Sequence, residues 1–349
     1  MFRFRTFRVA ALAGALSLAL TPAAFAADTV TGGGSTFIQP VLTQWAQDYQ
    51  KATGTEVNYQ GIGSGGGLRG LGQKTLTFAA SDKPLKEDEL KEKGYVQWPM
   101  IAGAIVPVVN LDGIKPGELT LDGDTMAKIF MGKIKQWDDA EIAKLNPDVK
   151  LPSKAITVVH RSDGSGTTFN FTNYLNKVSP DWKSEVGSST EVKWPTGIGG
   201  KGNQGVAQYV QQVPASIGYV EYAYALENKM TYTKLVNKNG KAVEPSSDTF
   251  KAAAEGADYA SAPGFYLILT DQPGDNAWPI MATTFVLMYA EPQDAAKSLV
   301  ALKFLDWSFK NGVAAAEKLD YLPIPEKVYT LIEKTWSEQF KGDLWPPKG

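Results

Sequence analysis

An α/β architecture in two domains is predicted by three features of the 349-residue sequence. The length exceeds what a single hydrophobic core usually serves. Strand and helix patterns alternate along the chain, the signature of a parallel sheet with helices laid on it. Two long and nearly continuous apolar runs, 101–111 and 280–289, read as strands buried on both faces.

The elements follow in order. Ile38, Val41, Leu42, Trp45 and Tyr49 share one helical face, and Gly54 stands where a C-terminal stop belongs. Residues 57–60 form a short strand, and 61–67, reading GIGSGGG, a loop. Residues 75–80 read as a strand, Asp82, Lys83 and Pro84 as a turn, and 86–93 as a helix ended by Gly94. After the strand 101–111 come helices at 124–131 and 139–145, the second stopped by Asn146-Pro147. A strand at 155–160, helices at 167–178 and 203–213 and a strand at 217–220 complete the middle of the chain. Beyond the strand 280–289, helices at 293–310 and 326–340 close it. No fixed-period repeat or low-complexity segment interrupts this order.

Composition narrows the chemistry. An apolar content of 43% with 21% charged residues fits a soluble globular protein. The absence of cysteine excludes disulfides, thiolate nucleophiles, zinc fingers and iron–sulfur ligation. A single histidine, His160, removes most zinc chemistry. With 35 basic and 37 acidic side chains there is no basic field for nucleic acid. At the N-terminus, Arg3, Arg5 and Arg8 precede an apolar run, 9–20, too short to span a membrane, and Ala24-Phe25-Ala26 supplies a small-x-small cleavage pattern. Residues 1–26 are therefore expected to be a signal peptide cut after Ala26. The remaining chain has 32 basic and 37 acidic groups, a net charge of −5. No cysteine follows for lipid attachment, and no later stretch reaches the ~20 apolar residues of a spanning helix. An exported, soluble protein is expected.

One arrangement recurs. A strand or turn leads into a cluster of Gly, Ser and Thr from which a helix begins: TGGGSTF at 31–37, GIGSGGG at 61–67 and RSDGSGTT at 161–168. The first amides of a helix lack internal partners and sit at the positive end of its dipole. Glycine lets backbone approach a ligand, and hydroxyls add donors, so such an end suits an anion. Capping and turn glycines account for any one cluster. Three together, one carrying an arginine, point to an anion pocket.

Known phosphate motifs fit poorly. The stretch Gly72-Gln73-Lys74-Thr75 misses the Walker A spacing. Gly61, Gly63 and Gly66 match the dinucleotide spacing formally, with Asp82 as the acidic residue ~20 positions on, but the following segment is short and glycine-broken. Neither a G-x-S-x-G elbow nor an S-x-x-K pattern is present. His160 would be the only base for a serine triad, and Asp122, Asp124, Asp138 and Asp139 read as helix-start residues. No carboxylate or histidine set converges on a metal. Binding without chemistry is the simpler account. A secreted phosphomonoesterase using the same cleft, or a surface structural protein, is the competing class.

The segments TGGGSTF, VNYQGIGSGGG, AASDKPL, MGKIKQWDDAEIAKLNP, HRSDGSGT, VKWPTGIGGKGN, IGYVEYAYA and AWPIMATTF together span nearly all of the chain after residue 26. In them the sequence closely resembles the periplasmic phosphate-binding proteins of bacterial high-affinity phosphate ABC transporters. The resemblance implies a type II periplasmic binding protein fold, with two α/β domains joined by a two-segment hinge and ligand in the cleft. Domain one is expected at 27–106 and 279–349 and domain two at 107–278, which puts the crossings in the two long apolar strands. It further implies a monomer without cofactor or metal that takes up inorganic phosphate in the periplasm and delivers it to membrane permease subunits.

Carried over residue by residue, the resemblance implies phosphate contacts at Thr36, Phe37, Ser64, Asp82, Arg161, Ser165, Gly166 and Thr167, with Asp163 paired to Arg161. Ser162 and Ala79 depart from the family pattern at the periphery. An aspartate in an anion pocket has a chemical rationale. Facing a bare oxyanion it repels, but a proton between the two turns repulsion into a hydrogen bond. Phosphate near neutral pH keeps at least one proton, whereas sulfate keeps none. A pocket built around Asp82 therefore accepts one and rejects the other.

Overall fold

Alternation begins at the first described residues. β1 (Val30–Gly34), α1 (Gln39–Thr53), β2 (Val57–Gly61), α2 (Ser64–Gly72), β3 (Phe78–Ser81) and α3 (Glu87–Lys93) lead into the 15-residue β4 (Tyr95–Val109). The computed structural model describes residues 29–342 and 344–346, and the expected signal peptide lies outside them. A second set follows: β5 (Thr120–Leu121), α4 (Gly123–Phe130), α5 (Ala140–Leu145), β6 (Thr157–Arg161), α6 (Gly166–Val178), α7 (Pro180–Glu185), β7 (Ile198–Gly200), α8 (Gly202–Gln212), β8 (Ser216–Glu221) and α9 (Tyr222–Glu227). β9 (Thr231–Tyr232), β10 (Lys234–Val236), β11 (Ala242–Val243) and α10 (Ser247–Ala254) complete it. The chain then returns through β12 (Met281–Tyr289), α11 (Ala295–Asn311), α12 (Val313–Lys318), β13 (Leu322–Pro323) and α13 (Glu326–Gln339).

The main strands run in the order β2-β1-β3-β12-β4-β8-β6-β7. β1 is parallel to β2 and β3, while β12 is antiparallel to β3 and β4. Beyond β4 the sheet continues with β8 antiparallel to β4, and with β6 parallel to both β8 and β7. β4 belongs to both halves: its residues up to Ala104 pair with β12, and Ile105 onward pair with β8. Next to that change of partner, the Ile105 amide donates to the Ile280 carbonyl at 2.9 Å, so the two long apolar runs cross side by side. Trp278 closes the junction, fully buried, with Nε1 donating to the Ile105 carbonyl at 3.0 Å.

Apolar spacing works where it is regular. In α1 the predicted Val41, Leu42, Trp45 and Tyr49 are buried, and Gly54 caps the helix with φ 77°, its amide donating to the Gln50 carbonyl. Three elements differ from the sequence reading. The predicted loop 61–67 is half helix, because α2 begins at Ser64. Its glycines serve close approach: a Cβ on Gly67 would lie 2.6 Å from Gly34 Cα and 2.7 Å from the Gly33 carbonyl oxygen. α2 thus rests directly on β1. β3 begins at Phe78, later than the apolar run suggests. β4 begins at Tyr95, ahead of the predicted start, because Pro99 argues against a strand in the sequence. The register shift on β12 explains its tolerance. Thr284 pairs with Ile101 and Phe285 with Pro99, leaving Met100 as the extra residue of a bulge beside the proline. Short elements such as α7, β7, α9 and α12 carry too few periods to be read from sequence.

Candidate functional site

Direct hydrogen bonds bring together the C-terminal ends of β1, β2, β3 and β6 and the starts of α1, α2, α6 and α8. Ligands in open α/β sheets bind at such strand ends, and each helix start leaves amides without intrahelical partners. Thr36, Phe37, Ser64, Asp82, Arg161, Ser165, Gly166 and Thr167 are all buried here. Direct bonds join most of them. Ser64 Oγ accepts from the amides of Gly166 at 3.0 Å and Asp82 at 3.3 Å, and Arg161 Nη1 donates to Thr167 Oγ1 at 3.3 Å. Asn203 Nδ2 reaches Thr36 Oγ1 at 2.9 Å and Thr167 Oγ1 at 3.3 Å, which ties the first cluster to the third. The flanks already touch: the Gly65 amide donates to the Gly164 carbonyl at 2.8 Å. Phe37 takes part through backbone alone. Its amide donates to Ser35 Oγ at 3.0 Å, its carbonyl accepts from Tyr321 at 2.6 Å, and its ring is core.

The hydroxyls are wired by role. Thr36 Oγ1 accepts from the Asn203 amide and side chain, Ser64 Oγ from two amides, Ser165 Oγ from the Thr168 amide, and Thr167 Oγ1 from Arg161 and Asn203. An oxygen that accepts from N–H groups keeps its own proton to give away. Four buried hydroxyls are therefore poised as donors. Asp82 has the opposite role, accepting from Ser35 Oγ at Oδ2 and from Thr284 Oγ1 at Oδ1, each at 2.6 Å.

Charge is balanced locally. Arg161, 3% exposed, donates from Nε to Asp163 Oδ1 at 2.8 Å and from Nη2 to Oδ2 at 2.6 Å, a bidentate pair that fixes the guanidinium plane. Burial pushes Asp163 up, but the Arg161 hydrogen bonds and charge outweigh it, with help from the Gly202 amide at 3.0 Å, and hold the carboxyl below its usual range. Burial dominates at Asp82 and raises it to about 6, opposed by the bonds from Ser35 and Thr284 and by the charge of Arg161. His160 stacks on Trp194 with ring centroids 4.7 Å apart and directs Nδ1 to the Arg161 carbonyl. Its pairing is structural. Asp82 does not cap the following helix: α3 starts after Lys86, and both Asp82 carboxylate oxygens accept from hydroxyls.

Sequence reasoning did not single out Ser35, Thr284, Asn203 or Tyr224. Tyr224 donates to the Thr36 carbonyl at 2.7 Å, and Asn203 Oδ1 accepts from the Glu221 amide at 3.0 Å. Ser35 lay inside a quoted cluster, yet nothing local distinguishes a serine that serves Asp82 from one that caps a helix. Gly166 is a sharper signal in hindsight: a Cβ there would fall 2.6 Å from the backbone nitrogen, Cβ and Oδ2 of Asp82. Gly166→Ala is expected to keep the flanks apart and weaken anion binding at least ~100-fold, since displacing bound groups by about 1 Å carries that order of cost. Titration calorimetry with phosphate checks it, and near-normal affinity would show that the approach is dispensable.

Residues 20–311 match the family model of the PBP superfamily domain. The phosphate-binding protein PstS of Xylella fastidiosa is 52% identical over 312 residues, 89% of this chain and 86% of that protein. PstS of Pasteurella multocida is 50% identical over 323 residues, 91% of this chain and 94% of that protein. A high-affinity periplasmic phosphate-binding protein solved with phosphate bound matches at a TM-score of 0.70 and 19% identity over 88% of this chain and 93% of its own, a likeness of fold alone. With half of its residues shared across most of its length, the chain belongs to the PstS family of phosphate-binding proteins within the PBP superfamily.

Proposed function

We propose that this protein is a substrate-binding protein that captures inorganic phosphate in the crevice and delivers it to the permease subunits of a phosphate ABC transporter. The observation that carries the reading is the division of roles among buried groups. Four hydroxyls and Arg161 offer protons, and Asp82 alone offers lone pairs. That set complements a tetrahedral oxyanion that still carries a proton. The Arg161–Asp163 pair leaves no excess positive charge, so short-range donors must supply the attraction.

In this reading Thr36, Ser64, Ser165 and Thr167 contact phosphate through hydroxyls, and Asp163 holds Arg161 in place. Phe37 and Gly166 place backbone at the helix starts and would lend their amides only by exchanging the bonds to Ser35 Oγ and Ser64 Oγ for bonds to the ligand. Two bodies, 27–106 with 279–349 and 107–278, close about a hinge where β4 changes partners. The protein works as a periplasmic monomer, exported by residues 1–26, and needs no metal or cofactor. Among the described residues no helix is long and apolar enough to cross a membrane, and no cluster of side chains would hold a metal ion.

A melting-temperature panel of phosphate, arsenate, sulfate and molybdate at pH 8 tests the reading. Phosphate at 100 times its Kd adds about 2.7 kcal/mol to the bound state, which corresponds to a rise on the order of 4 °C for a chain of this size. Arsenate, protonated and nearly the same shape, is expected to do the same. Sulfate is expected to leave the transition where it was, and an equal rise with sulfate would sink the proposed role of Asp82.

A further inference from the structure

We infer that Ser35 and Thr284 are positioning residues for Asp82: their two hydroxyls hold its carboxylate as a proton acceptor and set the pH range in which the crevice rejects fully deprotonated oxyanions. The inference rests on the phosphate reading above and adds two residues to it. Neither hydroxyl is offered to the ligand, because each directs its proton to a different Asp82 oxygen at 2.6 Å. An ionised carboxylate accepts at both oxygens, whereas a protonated one must donate from one of them. Protonating Asp82 makes it a poorer acceptor for both hydroxyls, so the two bonds favour the ionised form. Two donors on opposite oxygens also fix the carboxylate plane, leaving the second lone pair of each oxygen for the ligand.

The two residues come from separate strands. Ser35 follows β1, and its oxygen accepts the Phe37 amide at 3.0 Å while its carbonyl accepts from Tyr59 at 2.8 Å. That double tie holds its hydroxyl toward Asp82. Thr284 lies on β12, the last residue before its pairing with β4 shifts register. Around Asp82 the other titratable groups are Arg161 on β6, Tyr59 on β2 and Tyr224 on α9. Burial keeps both tyrosines neutral, so Arg161 is the one charged neighbour that acts on it. The remaining contacts reach only its backbone, from Ser64 on α2 and Asn170 on α6. Burial drives Asp82 toward the protonated form, and the two hydroxyls oppose it.

The test is the pH profile of sulfate and phosphate binding, measured by calorimetry from pH 5 to 9 on the full chain and on Ser35→Ala, Thr284→Val and Thr284→Ser. In the unsubstituted protein sulfate affinity is expected to fall tenfold per pH unit above about 6. In Ser35→Ala and Thr284→Val that fall should begin about one unit higher, and Thr284→Ser should restore the original profile. Carbon-13 NMR titration of the aspartate carboxyls without ligand reads the same midpoint independently of binding. Profiles and midpoints unchanged in both variants would overturn the inference while leaving phosphate binding standing. Failure of the unsubstituted protein to bind phosphate would overturn the reading beneath it as well.

Discussion

Asp82→Asn is expected to erase the distinction between phosphate and sulfate. The substitution keeps the shape of a side chain that is 1% exposed but replaces one acceptor oxygen by an NH2 donor. Sulfate then meets a donor where it met a carboxylate, and phosphate loses the partner for its proton. A site built to satisfy a buried hydrogen bond discriminates by ~10⁴–10⁵-fold against a ligand that cannot make it. That ratio should collapse to about tenfold or less. The pH dependence has a definite sign. Burial raises Asp82 to about 6, so the accepting form dominates above that pH and is lost as pH falls through it. Sulfate binding to the unsubstituted protein should strengthen on acidification from pH 8 to 5, while the Asn variant stays flat. Displacement of radiolabelled phosphate by sulfate across that range reads both effects. Undiminished selectivity in Asp82→Asn would remove the residue from its assigned part.

Arg161→Ala is expected to weaken phosphate, arsenate and sulfate together. The guanidinium side chain is 1% exposed and donates to both oxygens of Asp163 and to Thr167 Oγ1. Its removal takes the one cation from the crevice and strands the Asp163 carboxylate, which would then repel any oxyanion. Breaking such a buried pair costs about 3–5 kcal/mol, or roughly 10²–10⁴-fold in affinity. Adding Asp163→Asn to Arg161→Ala should recover part of the loss, because the stranded charge goes with it. Lysine at 161 should recover little, since a point charge cannot reproduce the bidentate fork. Isothermal titration with each anion measures these steps, and an unaltered phosphate affinity would place the pocket elsewhere.

What could be read from the sequence was whatever is locally periodic or locally clustered. The α1 face and its Gly54 cap, the return strand at β12 and the Gly-Ser-Thr helix starts announce themselves within a dozen residues. β4 was half hidden because Pro99 argues against a strand, and only the Met100 bulge, a property of the pairing with β12, removes the objection. Three consecutive glycines at 65–67 read as loop in a sequence, whereas at Gly67 the lack of a Cβ is what permits contact of α2 with β1. The site divides the same way. Resemblance carried the residues proposed to face the ligand, but Ser35 and Thr284 stand 249 positions apart and meet at the Asp82 carboxylate. Asn203 is 167 positions from Thr36, with which it shares two hydrogen bonds. Contacts at such range follow from sheet topology, not from any spacing.

The side-by-side crossing of the two long strands has a mechanical consequence. In the hinge reading, two flexing points joined by the 2.9 Å bond from the Ile105 amide to the Ile280 carbonyl define a single axle. Motion about one axle has one degree of freedom. Whatever separates Gly65 from Gly164 must in the same swing separate Ser64 from Gly166 and Thr36 from Asn203. Such a protein cannot let go of one wall of its ligand at a time. A permease that pries at either rim would reach the buried anion through that single angle, and an empty molecule would advertise itself by the same angle.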